Sequence, residues 1–333
     1  MTLSGHPTVS VVIPAWNAAR FITRAVTSVL SGQAGTLPDD TMLDVAEVIV
    51  VDDRSTDDTM AVLHGLATQH PRIKLLQNPR NLGPAGSRNA GVAAATGDWI
   101  ALLDADDAFA PGRLLRMVGA AQAAGVDILA DLPVLYDMAA GLAAPAAQQL
   151  PASGRTDILR LADFLRPDPE TGLDLGLLKP VFRRRLVVEG LWHYPDDIRH
   201  GEDFALYFDL VAGGEKFALL REALYVFSTR IGAVSGSYSP GSVTNVNYRT
   251  IAADAEILAH RYSAQPDADA EVIALLATRK DRALRQNRIH GWTLPRKREI
   301  RRLRQWLQHD PRNRTEILHI IAAKLTGHRG LPD

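Results

Sequence analysis

Apolar residues in the first third of the chain follow two rhythms that take turns. Short unbroken runs predict strands buried on both faces. Segments with apolar residues every three or four positions predict amphipathic helices. The β-branched run Val9-Ser10-Val11-Val12-Ile13 predicts a strand that stops at Pro14. Asn17 is placed to cap a following helix whose apolar stripe is Phe21, Ile22, Ala25, Val26, Val29 and Leu30. A polar loop from Ser31 to Asp40 leads to a second strand, Val45 to Val51, which ends at Asp52-Asp53. Ser55 and Asp58 have the spacing of a capping box for the next helix. Ile73 to Gln77 reads as a third strand. Asn81 to Gly86 reads as a turn that launches a helix through Ala95, and Gly97 stops it before a fourth strand, Trp99 to Leu103. This alternation predicts an α/β fold with a mostly parallel sheet flanked by helices. Ligands of such sheets sit beyond the carboxyl ends of the strands. Pro14 to Asn17, Asp52-Asp53 and Asp104 to Asp107 all lie at such ends, so polar residues from three strands converge on one edge.

The pattern then changes. Ala139 to Ser153, rich in Ala, Gln, Pro and Gly, reads as a connection between two halves, about 8–130 and about 150–240. Lys179 to Arg184 reads as a short strand with a basic turn that helps frame an acceptor cleft. His200-Gly201-Glu202-Asp203 opens a helix carrying Phe204, Leu206, Tyr207, Phe208, Leu210 and Val211. Acidic residues in a first turn suit the helix dipole. Arg230 to Ser237 reads as a Gly/Ser loop. After Pro240 the rhythm is helical, over Val243 to Tyr262, Ala268 to Arg288 and Arg296 to Gln308, with Ile317 to Leu325 apolar beyond. The expected division is therefore 1–240 for the main domain and 241–333 for a helical C-terminal region. Arg296-Lys297-Arg298, Arg301-Arg302 and Arg304 line one face of the last helix, against Ile300, Leu303, Trp306 and Leu307. Such a helix lies on an anionic membrane surface, on its own domain, or on a second copy in a homodimer.

Composition narrows the classes. Of 333 residues, 46% are hydrophobic and 23% charged, as in an ordinary globular protein. A formal net charge of −1 gives no global attraction to nucleic acid, and no nucleic-acid partner is expected. The chain has no cysteine, which excludes disulfides, thiolate catalysis and cysteine-held zinc, and fits a cytoplasmic location. The run Val9 to Pro14 is too short for the apolar core of a signal peptide. No stretch reaches the roughly 18–20 apolar residues of a membrane span, so membrane contact is expected to be peripheral.

The acidic cluster Asp104-Ala105-Asp106-Asp107 adds chemistry. Crowded carboxylates repel and raise one another's pKa. A divalent cation neutralises them, and hard oxygen ligands suit Mg²⁺ or Mn²⁺ together with a substrate's phosphates. The alternative is a solvated acidic turn. Gly83 and Gly86 permit a tight turn, yet the Gly-Lys-Ser/Thr ending of a phosphate-binding loop and the G-x-G-x-x-G dinucleotide fingerprint are both missing.

Five blocks carry a resemblance. Val11 to Asn17, Val50 to Asp57, Asn81-Leu82-Gly83 with Ser87 to Gly91, Asp104-Ala105-Asp106, and Gly201-Glu202-Asp203 resemble, in order and spacing, the motifs of the family 2 glycosyltransferases. The likeness covers about residues 8 to 235. Arg54 stands where that family often has Gly. The resemblance implies a GT-A fold, Rossmann-like with a helical C-terminal extension, a nucleotide-sugar donor and inversion at the anomeric carbon. It places Pro14, Ala15, Asn17, Asp53, Arg88, Asp104, Ala105, Asp106 and Arg230 around the donor. Asp53 would read the uracil N3–H, where the plain alternative is a helix cap. Trp16 would stack on the base or pack into the core. Arg88 would meet the diphosphate, where the alternative is a solvated helix face. Asp106 would bind the metal directly with Asp104 in support, and Asp107 would cap a helix near Pro111. Asp203 would be the catalytic base and Glu202 its neighbour, with His200 a weaker candidate. The Arg230 loop would close over the donor.

The expected activity is a metal-dependent, inverting hexosyl transfer. The sugar, glucose by likeness to succinoglycan-type glucosyltransferases, moves from a UDP-sugar to a saccharide or lipid-linked oligosaccharide. The setting would be exopolysaccharide biosynthesis, in the cytoplasm or at the inner membrane face. The main alternative is a catalytically silent GT-A scaffold that binds nucleotide in a membrane-associated assembly. A nucleotidyltransferase is a third reading, against which stands the missing Gly-rich, basic N-terminal signature.

Overall fold

The computed structural model describes residues 6–137, 142–143, 154–195, 198, 201–229 and 248–290. The chain forms two compact units, Met1–Asn245 and Val246–Asp333. The first unit opens with β1 (Thr8–Ala15), α1 (Ile22–Leu30), β2 (Gly35–Thr36), β3 (Met42–Asp52) and α2 (Thr59–Gln69). Then come β4 (Ile73–Gln77), α3 (Gly83–Ala93), β5 (Trp99–Leu102), β6 (Ala108–Phe109) and α4 (Arg113–Ala124). Its second half holds β7 (Ile128–Asp137), β8 (Leu142–Ala143), β9 (Thr156–Leu159), β10 (Val181–Arg183), α5 (Arg185–Val188), α6 (Glu202–Ala212) and β11 (Phe217–Thr229). Within the second unit α7 (Tyr248–Ser263) packs on α8 (Ala270–His290), and Lys280 pairs with Glu256. Among the described residues no helix is long and apolar enough to cross a membrane.

The apolar runs become the parallel core of the sheet. β1 lies between β3 and β5, parallel to both, and β3 pairs in parallel with β4. Val9, Val11 and Ile13 of β1 share a buried cluster with Ile22, Ala25, Val26 and Val29 of α1. On the opposite face α3 comes so close that a Cβ on Gly91 would collide with Val12 and Val51. The next strand reverses direction: β10 is antiparallel to β5 and to β7. β7 and β11 then run parallel again, and β6 and β9 are antiparallel to β11. The carboxyl ends of β1, β3, β5 and β11 therefore share an edge with the residues that precede β10.

Two helix caps differ from expectation. Asn17 does not cap α1, which begins at Ile22. Asn17 has φ +49°, its Oδ1 accepts from Thr56 N at 2.8 Å, and its own N–H donates to Ser55 Oγ at 3.0 Å. Ser55 and Asp58 make no capping box. α2 begins at Thr59, whose N–H donates to Asp57 Oδ1 at 3.0 Å. Short polar side chains after a strand satisfy whichever backbone donor comes within reach. Here they lace the loop after β1 to the loop after β3.

Candidate active site

Asp52 ends β3, Asp53 follows it, and both are buried. Asp52 accepts from Gln77 Nε2 at 2.9 Å and from Ser55 N at 3.3 Å. Asp53 builds the next turn. Its Oδ1 takes Asn78 Nδ2 and Leu82 N, both at 2.7 Å, and its Oδ2 takes Gly83 N at 2.8 Å. One lone pair on Oδ2 remains for a ligand. Asn78 also donates to Ser87 Oγ at 2.9 Å, joining this turn to α3. Ala15 lies buried behind the edge and its carbonyl accepts from Asp53 N at 2.8 Å. Pro14 is half-buried beside it, whereas Trp16 is 51% exposed. Trp16 is thus an exposed ring at the strand end and not part of the core.

Arg88 is no solvated helix residue: it is 4% exposed. Its Nη2 donates to Asp104 Oδ1 at 2.8 Å and its Nη1 to Glu202 Oε1 at 3.0 Å, with Asp203 Oδ1 at 3.4 Å. The loop after β5 and the acidic start of α6 therefore meet at one guanidinium. Gly201, at φ +74°, makes the left-handed step that lets α6 begin with Glu202 and Asp203 at this point. Asp203 is 6% exposed and accepts from Tyr194 OH at 2.9 Å on Oδ1 and from Lys179 Nζ at 2.6 Å on Oδ2. Lys179 also lies 3.2 Å from Asp104 Oδ2. Burial favours a neutral Asp104, yet Lys179 and Arg88 outweigh it and hold that carboxyl below the usual range.

Within the acidic cluster, Asp104 is partnered by two cations of the chain, Arg88 and Lys179. Asp106 stands half-buried on the loop after Asp104, where Arg24 of α1 grips its backbone carbonyl and the Ser228 hydroxyl together. Ala105 between them is buried. Asp107 does not cap a helix. It is buried, its Oδ2 accepts from Tyr225 OH at 2.7 Å and its Oδ1 from Ser228 N at 2.8 Å. Burial, then Asp106 and Asp104, push its carboxyl well above the usual range. Among the described residues no group of three or more acidic or histidine side chains is arranged to hold a metal. Asp106 and Asp104 offer hard oxygens for one or two coordination positions, which suits Mg²⁺ or Mn²⁺ only with diphosphate oxygens and water completing the shell.

Tyr194 and Tyr225 are site residues that the sequence does not single out, while Lys179 and Asn89 are named there only as parts of longer segments. Lys179 sits opposite Leu103 when the antiparallel register of β10 and β5 is continued by two residues. Asn89 clasps the backbone of Tyr194, accepting its N–H at 2.9 Å and donating to its carbonyl at 3.1 Å. Tyr225 OH accepts from Asp104 N at 3.1 Å. The sequence places Lys179 at the start of the basic segment that runs to Arg184, and the structure adds its partners, Asp104 and Asp203. His200, Arg230 with its loop to Ser237, the basic segment Arg296 to Gln308 and Ile317 to Leu325 lie outside the described residues, as does most of Ala139 to Ser153.

Residues 10–172 match the model of glycosyl transferase family 2. The succinoglycan biosynthesis protein ExoO of Rhizobium meliloti (strain 1021) is 36% identical over 232 residues, which is 69% of this chain and 63% of ExoO. ExoU of the same organism is 32% identical over 249 residues, 72% of this chain and 67% of ExoU. The chain thus spans under two thirds of ExoO and about two thirds of ExoU. Among solved structures, S. aureus TarS 1–349 superposes with a TM-score of 0.61 at 19% identity, covering 90% of this chain and 78% of its own. It has been solved with UDP and with UDP-GlcNAc. That likeness carries the fold, which is GT-A.

Proposed function

The chain belongs to the family 2 glycosyltransferases, and on that premise we propose that it moves a sugar from a UDP-sugar to a saccharide hydroxyl with inversion. Glucose is the first choice of sugar. A lipid-linked saccharide is the first choice of acceptor, in exopolysaccharide assembly at the inner membrane face. ExoO and ExoU bear names from succinoglycan biosynthesis, and TarS is a structural neighbour that binds UDP and UDP-GlcNAc. The observation that carries the reading is the meeting of Asp104, Glu202 and Asp203 around Arg88. A donor-side motif and an acceptor-side carboxylate share one buried site.

The chemistry follows from these positions. Asp203 takes the proton of the acceptor hydroxyl. That oxygen forms the new bond to the anomeric carbon from the face opposite the phosphate. The bond from that carbon to the phosphate oxygen breaks, and its electron pair leaves with UDP. Oδ1 of Asp203 accepts from Tyr194 OH and lies 3.4 Å from Arg88 Nη1, while Oδ2 accepts from Lys179 with one lone pair left for the acceptor. General base catalysis of this kind contributes about 10²–10⁴-fold. Mg²⁺ or Mn²⁺, held through Asp106 with Asp104, would supply Lewis-acid stabilisation of the departing diphosphate. Asp53 and the exposed face of Trp16 would receive the base.

Calorimetry with UDP and UDP-glucose tests the assignments. Asp203→Asn is expected to lose transfer by at least about 10²-fold while binding donor within about threefold. Loss of both together would count against Asp203 as the base. Asp106→Ala is expected to lose the metal-dependent part of donor affinity, and unchanged affinity in metal would remove that role.

A further inference from the structure

The ammonium of Lys179 lies between two carboxylates from different motifs, 3.2 Å from Asp104 Oδ2 and 2.6 Å from Asp203 Oδ2. Neither acidic motif contains it, and proton transfer to Asp203 needs no lysine. Its root is built into the core. Arg113 Nη2 donates to the Lys179 carbonyl. Arg113 is itself fully buried, clasped by Asp131 and laid over the rings of Phe109 and Tyr225. Pro180 restricts Lys179 to extended backbone. The stem therefore starts from a fixed point, and the tip reaches both carboxylates at once.

Asp104, Glu202 and Asp203 are met by two buried cations, Arg88 and Lys179. Arg88 touches all three carboxylates. Lys179 touches the two that face the donor and the acceptor. Remove Lys179, and three carboxylates converge on one guanidinium while Asp203 Oδ2 loses its partner among the described residues. Desolvating an ammonium is costly, so a lysine held here without a task would be a net burden on stability.

We propose that Lys179 is a positioning residue for transfer: its ammonium locks the Asp203 carboxylate to the Asp104 loop, so that proton acceptor and donor site keep a fixed separation. The catalytic half of this proposal rests on the transferase reading above; the coupling half rests on the geometry alone.

Two measurements on the full chain separate the halves. The first is a double-mutant cycle of urea unfolding with Lys179→Met, Asp203→Asn and the pair. Coupling predicts that the double variant loses less stability than the sum of the singles, because once one partner is gone the other no longer has that contact to lose. Additive losses overturn the proposal. The second is steady-state turnover with a UDP-sugar that the wild type uses. Lys179→Met is expected to lower kcat about 10²-fold with donor KM within about threefold, and Lys179→Arg to regain at least about tenfold. Unchanged kcat overturns the proposal. So does a loss that Lys179→Arg fails to recover in a variant that still folds and binds UDP. A wild type that uses no donor defeats the transferase reading and the catalytic half with it, while the unfolding cycle still decides the coupling.

Discussion

Arg54 turns the chain left-handed, at φ +61°, immediately after the Asp52-Asp53 pair. That turn brings Ser55 N to the Asp52 carboxylate. A side chain in this conformation meets its own backbone, at a cost of about 1–2 kcal/mol, and glycine does not. The steric cost gives a physical reason for the family's frequent Gly at this position. The exposed guanidinium reaches Gln77 Oε1 at 3.3 Å, a contact of small worth. Arg54→Gly is therefore expected to raise stability by about 0.5–1 kcal/mol, after the larger unfolded-state entropy of glycine is counted. A urea midpoint that falls instead would show that the guanidinium holds this loop. The same scale explains which site residues were legible. Asp53, Asp104, Asp106 and Asp203 stand at the ends of apolar runs, where a carboxylate interrupts the pattern. Lys179, Tyr194 and Tyr225 sit inside or beside apolar stretches, and their roles come from partners distant in sequence.

Helix α3 and strand β3 carry the predictions that belong to elements. Replacing a helical glycine by alanine ordinarily stabilises by about 1 kcal/mol. At Gly91 the sign reverses, because the added methyl would collide with Val12 and Val51 across the helix–sheet contact. Gly91→Ala is expected to cost about 1–3 kcal/mol, measured by urea unfolding, and to shift Arg88 three residues away. Glu47 makes a pH prediction. Burial works against its charge, but Lys74, Ser10 and Thr96 outweigh that and draw its pKa down to about 2 from 4.5. A depressed carboxylate stabilises the fold fully above pH about 4.5 and loses that contribution as pH falls toward 2. The stability gap between wild type and Glu47→Gln is expected to be widest near pH 7, of order 2–3 kcal/mol, to narrow below pH about 4.5 and to close as pH falls through about 2. A gap that does not change with pH would mean that the carboxylate is not held by these partners. The parallel strands were legible because burial on both faces leaves unbroken apolar runs. The reversal at β10 was not, since a three-residue apolar strand reads alike in either direction. The caps at Asn17 and Ser55 misled because the same side chains close a loop-to-loop contact instead.

At the scale of the whole molecule, every described residue of the site lies in the unit Met1–Asn245. A chain ended at Asn245 is expected to unfold cooperatively and to bind UDP within about threefold of the full chain. Calorimetry and a urea melt would check this, and lost affinity in a folded fragment would place part of the nucleotide site beyond Asn245. This edge of the sheet is proposed to carry out UDP-sugar chemistry. UDP release from a panel of UDP-sugars tests it most directly, with saccharide acceptors present, in Mn²⁺, in Mg²⁺ and in EDTA, and with UDP binding read on the same samples. Release is expected from one sugar, dependent on the metal and lost in Asp203→Asn. Absence of both release and UDP binding would contradict it.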